Sequence, residues 1–142
     1  MERRELIRTL GAAAISVAAV PSFAQHEHHH GGAKNQALID AAGNCSSKAE
    51  VCLSHCQELL AQGDKSMSTC AATSREVAVA CTALRSLAAQ SAPSLPQFAK
   101  ATADVCARCE AECRKHEKQH QACKDCADAC AACRAECAKM SV

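Results

Sequence analysis

Thirteen cysteines carry the chemistry in this sequence: Cys45, Cys52, Cys56, Cys70, Cys81, Cys106, Cys109, Cys113, Cys123, Cys126, Cys130, Cys133 and Cys137. Their spacing is not random. Steps of 3, 4, 3, 4 run from Cys123 to Cys137, steps of 3 and 4 join Cys106 to Cys113, and steps of 7 and 4 join Cys45 to Cys56. Cys70 and Cys81 are 11 apart. Each of these steps returns a side chain to the same face of an α-helix. Cys52/Cys56, Cys109/Cys113, Cys126/Cys130 and Cys133/Cys137 are C-x-x-x-C pairs, with Cβ atoms about 5–6 Å apart on a helix. Two thiolates at that separation can clamp one soft ion. Sulfur ligands select thiophilic metals, Cu(I) among them, and Cu(I) accepts two or three sulfurs. A ladder of such pairs facing a second ladder would hold many ions.

Other uses of thiols compete with this one. A few cysteines could serve as small buried hydrophobes, but thirteen on one seam exceed that need. Disulfides want Cβ atoms about 3.5–4.5 Å apart, which mid-helix i,i+4 pairs miss, although cross-helix bridges are open to a metal-free chain. Iron–sulfur ligands of the ferredoxin type sit on irregular backbone in runs that end in proline. No proline follows the clusters here. Zinc takes four ligands per ion, so a metallothionein-like zinc or general metal buffer stays open, as does an iron–sulfur redox protein.

The elements that must position these thiols are helices. Leu38, Ala42, Cys45, Ala49, Cys52, Cys56 and Leu59 form one stripe, predicting a helix from about Ala33 to Leu60. Gly63 stops it. Met67, Cys70, Ser74, Val77, Cys81, Leu84 and Ala88 predict a second helix from about Lys65 to Ala89. Two prolines mark the loop from Ser91 to Pro96, and Ser94 with Gln97 has capping-box spacing. The third helix carries Phe98, Thr102, Cys106, Cys109, Cys113 and His116. After a short break near 116–119, the fourth carries His120, Cys123, Cys126, Cys130, Cys133, Cys137 and Met140. Short connections make this an all-α, antiparallel up-down-up-down four-helix bundle with a Cys-lined core over residues 33–142.

Composition agrees. Only Phe23 and Phe98 are aromatic and large aliphatics are sparse, so cysteine and alanine must fill the core. The formal charge of +1 provides no basic field for nucleic acid, and no stretch beyond the N-terminus suffices for a membrane span. No Ser-His-Asp set, phosphate loop or open carboxylate–His site appears, so no enzyme activity is expected.

Residues 1–24 read as a secretory signal: Arg3, Arg4 and Arg8, then an apolar run from Gly11 to Val20, then Ser22-Phe23-Ala24 for cleavage. Arg3-Arg4 followed by Leu6 and Ile7 resembles a twin-arginine signal. Export after cleavage, to the periplasm or the lumen of internal membranes, follows. Residues 25–32 (QHEHHHGG) form a flexible His-rich tail able to capture metal. The mature chain keeps thirteen basic and thirteen acidic residues, so thirteen thiolates would be neutralised by thirteen monovalent cations.

The stretches CLSHCQELL (52–60), SMSTC (66–70), ADVCARCEAEC (103–113) and CKDCADACAACRAEC (123–137), together with the signal, resemble the exported branch of the bacterial Cys-rich copper storage proteins over essentially the whole chain. The resemblance implies a four-helix bundle, many Cu(I) ions on the core cysteines, a homotetramer, and copper supply to a recipient chaperone or copper enzyme such as particulate methane monooxygenase, or copper detoxification. In such a bundle the first and third turns share one end. His55 and Met67 flank one turn, and His116 and His120 the other, giving a mouth of weaker, exchangeable ligands. The resemblance supports His55 and Met67 in that role. Where relatives carry further methionines, this chain has Leu59 and Gln62.

Overall fold

A computed structural model describes residues 34–140. The expected signal (1–24) and His-rich tail (25–32) lie outside the described residues. Four helices follow in order: α1 (Gln36–Ala61), α2 (Ser68–Ala89), α3 (Leu95–His116) and α4 (Gln121–Ala138), with a single 3-10 turn, Lys65–Met67, leading into α2. They pack as a ring in which α1 touches α2 and α4, and α3 touches α2 and α4. Neighbours run antiparallel, so α1 Cys52 lies opposite α2 Cys70 while Asn35 at the start of α1 reaches Ala88 near the end of α2. The up-down-up-down bundle is as expected. Among the described residues, no helix is long and apolar enough to cross a membrane.

The four predicted stripes face inward. Every stripe residue of α1 from Leu38 to Cys56 is buried, as is every one from Met67 to Ala88. Phe98, Leu59 and Met140 are only partly buried and pack on the edge of the core. The interior is thus cysteine along most of the axis. Apolar carbon concentrates at the end that holds the chain entry into α1: Leu38, Ala42, Leu84, Ala88, Leu95 and Ala99 close it. Asn35 locks this end by donating from Nδ2 to the Ala88 carbonyl at 2.9 Å. Charged residues lie on the outer faces of the helices, and several pair across helices within the chain. Arg134 meets Glu110 at 2.6 Å and Lys48 meets Asp125 at 3.1 Å. Such exposed pairs contribute about 0–1 kcal/mol each.

Three turns set the register. The α1 end is a Schellman arrangement: Gly63 N–H donates to Leu60 O, Asp64 N–H donates to Leu59 O, and Gly63 has φ +95. Asp64 then caps the 3-10 turn, its Oδ1 accepting from the Ser66 amide at 3.0 Å and the Ser66 hydroxyl at 2.6 Å. The α2 end repeats the pattern with Ser91 at φ +48 in the glycine position, Ala92 N–H donating to Leu87 O. The expected capping box at Ser94 and Gln97 does not form. Ser94 is the N-cap residue but keeps helical backbone angles and makes no side-chain capping bond. A capping side chain normally projects from extended backbone, and the helical angles at Ser94 go with the absence of a bond from its hydroxyl to the Gln97 amide.

Candidate metal centre

All thirteen cysteines are reduced and buried on the bundle axis. Twelve have no exposed surface, and Cys137 has 1%. The helical phase read from the sequence therefore brings every one of them to the core.

The thiols gather into four sets whose sulfurs lie within 4.8 Å of one another. Cys45, Cys81, Cys106 and Cys133 form a quartet near the apolar end, with one member from each helix. Cys109, Cys126 and Cys130 form a middle trio on α3 and α4. Toward the opposite end lie Cys52, Cys56, Cys70 and Cys123, and a trio of Cys52, Cys113 and Cys126. Cys52 and Cys126 each belong to two sets, so three of the sets run into one another, and the Cys45–Cys130 contact at 3.7 Å joins the quartet to them. Sulfur–sulfur distances include 3.5 Å for Cys70–Cys113, 3.7 Å for Cys81–Cys106 and Cys45–Cys130, and 3.8 Å for Cys52–Cys123 and Cys109–Cys126.

The expected C-x-x-x-C clamps are realised unevenly. Cys52–Cys56 stand at 4.0 Å and Cys109–Cys113 at 3.8 Å. Cys126 and Cys130 share a set only with Cys109, and Cys137 belongs to none. Most close approaches cross between helices. Sequence periodicity fixes the face of each thiol but not the axial offset between helices that decides which thiols meet. Ser74, at a stripe position, points its hydroxyl to within 3.8 Å of Cys109 Sγ.

Proton occupancy follows the same network. The thiols of Cys81, Cys113, Cys123, Cys130 and Cys137 are pushed up, first by neighbouring thiols that they serve as donors and then by burial; the leading neighbours are Cys106, Cys109, Cys52, Cys106 and Cys133 respectively. Their partners move the other way. Cys52 is pulled down by Cys113 first and then by Cys123, Cys126 and Cys56. Cys109 is pulled down by Cys113 first, and Cys133 by Cys106 first. A thiolate surrounded by S–H donors is stabilised by them, and each donor is then harder to ionise. Full ionisation of the core therefore needs cations inside it.

The end with the 61–67 and 116–121 turns carries the predicted mouth residues. His55 Nε2 and His120 Nδ1 are 3.0 Å apart, joined by a hydrogen bond. Both rings are half-buried. His116 is nearby in sequence but apart in bonding: its Nε2 is buried without a hydrogen-bond partner, 3.6 Å from Glu112 Oε1. Met67 is fully buried one turn before Cys70. The structure thus brings His55 and His120 together and seats Met67 inside the bundle.

A family model described as "Csp: Copper storage protein" matches residues 31–142, which span all four helices. The chain belongs to the copper storage protein family. Copper storage is the function that goes with this family, and the buried thiols are the groups able to hold the metal. Among solved structures, the apo form of copper storage protein 3 from Bacillus subtilis is similar, at 30% identity and a TM-score of 0.67, covering 76% of this chain and 99% of that chain. A search of curated proteins returned no match.

Proposed function

We propose that this copper storage protein holds its cargo as Cu(I) on the thiolates of all thirteen cysteines, with many ions per chain, and does not act as an enzyme. The observation that carries this is the continuity of the thiols: three of the four sets overlap through Cys52 and Cys126, and Cys45 of the remaining quartet lies 3.7 Å from Cys130. Cu(I) is satisfied by two or three sulfurs and tolerates bridging thiolates, so a continuous column of thiols at 3.5–4.0 Å suits it along its whole length. Ions enter and leave past His55, His120, His116 and Met67, whose nitrogen and thioether donors bind more weakly than thiolate. The signal expected in residues 1–24 argues for export, and a tetramer and a copper-accepting recipient, chaperone or copper enzyme complete this reading.

One observation favours a second reading. Tetrahedral zinc with bonds of about 2.3 Å puts its sulfurs about 3.8 Å apart, which fits the Cys45/Cys81/Cys106/Cys133 quartet. A zinc buffer would fill the quartets and leave the remainder of the column empty. Anaerobic titration of reduced protein with Cu(I), followed by gel filtration and metal analysis, separates the two. More than about ten Cu(I) per chain on folded protein supports the store, as one monovalent ion per thiolate neutralises the core. Saturation at one or two Cu(I), or displacement of copper by zinc, refutes it.

A further inference from the structure

The thiol column is not equally wide along its length. At mid-height α1 presents Ala49, between Cys45 and Cys52, and α2 presents Ser74 and Val77, between Cys70 and Cys81. All three side chains are fully buried, and each stands at a stripe position where a cysteine would have kept the ladder unbroken. The α1/α2 half of the bundle therefore crosses the middle of the core without a thiol. The other half does not: Cys109 on α3 with Cys126 and Cys130 on α4 make the middle trio. The Ser74 hydroxyl, 3.8 Å from Cys109 Sγ, puts the thiol-free band at the height of that trio. Sulfur contacts sort to either side of it. Toward the histidine end, Cys52, Cys56, Cys70, Cys113 and Cys123 are linked by approaches of 3.5–4.0 Å, and Cys109 joins them through Cys113 at 3.8 Å. Toward the apolar end, Cys81 meets Cys106 at 3.7 Å and Cys133 at 3.9 Å. The Cys45/Cys81/Cys106/Cys133 quartet shares no member with the other sets. Among the described residues one thiol–thiol hydrogen bond joins it to them, Cys45 to Cys130 at 3.7 Å. The four quartet thiols have no exposed surface, and Leu38, Leu84 and Leu95 close the end beyond them. Solvent offers no way round Cys130.

We propose that Cys130 is the neck of the store: Cu(I) reaches and leaves the deep quartet by way of the Cys130 sulfur, which divides the cargo into a pool near the histidine end that exchanges quickly and a deep pool that exchanges slowly. This rests on the storage reading for its cargo. The step is a ligand exchange. An ion held by the thiolates of Cys109 and Cys126 gains a bond to the Cys130 sulfur, and the Cys130 proton passes to the Cys109 sulfur as that bond breaks. The ion then gains a bond to Cys45, whose proton passes to Cys126 as the last of the old bonds breaks. Copper stays Cu(I) throughout, and the protons lost by Cys130 and Cys45 are those gained by Cys109 and Cys126. Soft thiolate suits this hand-over. On the other half of the core Ala49 and Val77 offer only hydrocarbon and Ser74 a hard hydroxyl, so no parallel route exists at this height.

The test is stopped-flow uptake of Cu(I), supplied anaerobically as its acetonitrile complex to the reduced full chain and followed by thiolate-to-copper absorbance in the ultraviolet. The unaltered chain is expected to load in a fast and a slow phase. Cys56→Ala should trim the fast amplitude and Cys81→Ala the slow one. Cys130→Ala should keep the fast phase and slow the deep one by roughly tenfold or more. Cys130→Ser keeps the volume but replaces soft sulfur with hard oxygen; it should act as Cys130→Ala does, which separates a lost ligand from a cavity. An intact fast phase on helical protein shows that either variant has folded. A single loading phase in the unaltered chain, or a slow phase that both Cys130 variants leave unchanged, overturns the neck. The final load, read by metal analysis, tests the storage proposal separately. Above about ten ions per chain the store stands whatever the phases show, and a load of one or two overturns store and neck together.

Discussion

Raising the pH should unfold the metal-free bundle while leaving the loaded one intact. The thiols of Cys81, Cys113, Cys123, Cys130 and Cys137 are all pushed above their ordinary value, with neighbouring thiols and burial acting in the same direction. In the unfolded chain each ionises near pH 8.5. The sign follows from proton counting. Above that pH these five thiols keep in the fold protons that the unfolded state has released, and Cys45, Cys56 and Cys126, also pushed up, act in the same direction, so stability falls as pH rises; below it both states hold them and these groups contribute no slope. Each retained proton costs about 1.4 kcal/mol per pH unit, or about 7 kcal/mol per unit for the five. Cys52, Cys109 and Cys133, pulled down in the fold, are ionised in both states at this pH and do not change the slope. Against a domain stability of about 5–15 kcal/mol, the helical signal should collapse within one to two pH units above the thiol midpoint. The assay is far-ultraviolet circular dichroism under anaerobic, reducing conditions, with thiolate absorbance followed on the same sample. On the proposed reading, copper binding has already displaced these protons into solvent, and the loaded protein should hold its helix through the same range. Retention of full helix while all thirteen thiols titrate in the metal-free protein would show that the buried thiols accept charge without cations, and the reasoning would fail.

Three further outcomes are expected. Cys52→Ala removes a sulfur from two sets at once, so it should lower Cu(I) capacity by more than Cys137→Ala does, read by metal analysis after gel filtration. His55→Ala breaks the 3.0 Å contact with His120; it should slow Cu(I) uptake in stopped-flow without reducing the final load, and an unchanged rate would remove His55 from the entry path. Ser91→Gly relieves a left-handed backbone at φ +48 but removes the long 3.4 Å contact from Asn35 Nδ2 to Ser91 Oγ, while the bond from Asn35 to the Ala88 carbonyl stays; the net should be a stabilisation of no more than about 0.5 kcal/mol in chemical denaturation.

The four helices and the inward direction of every cysteine were legible because steps of three, four, seven and eleven survive any rearrangement that keeps the helix. Gly63 announced its turn in the same way, since φ +95 is glycine's own territory. Ser91 did not, because a serine at a positive φ leaves no compositional trace; the helix end is held instead by Asn35, which lies 56 residues away and reaches Ser91 Oγ at 3.4 Å. The capping box misled because Ser-x-x-Gln spacing says nothing of the backbone angles at Ser94, which are helical and not the extended ones of a capping residue. The grouping of thiols was beyond reach for a related reason. Whether Cys45 meets Cys130 or Cys133 depends on how far α1 slides along α4, which turn geometry sets and periodicity does not. Met67 is buried as its place at the head of the second stripe predicts, but the 3-10 turn Lys65–Met67 that seats it left no mark in the periodicity.

The interior is built from the smallest side chains that can still be called a core. Alanine and cysteine bring the helices together so tightly that opposite sulfurs sit 3.5–4.0 Å apart, a gap that fits a bare ion and no ion wearing a ligand. The bundle therefore sorts its traffic by size as well as by affinity. Copper must shed every companion at the boundary, one bond at a time, and whatever carried it there stays outside.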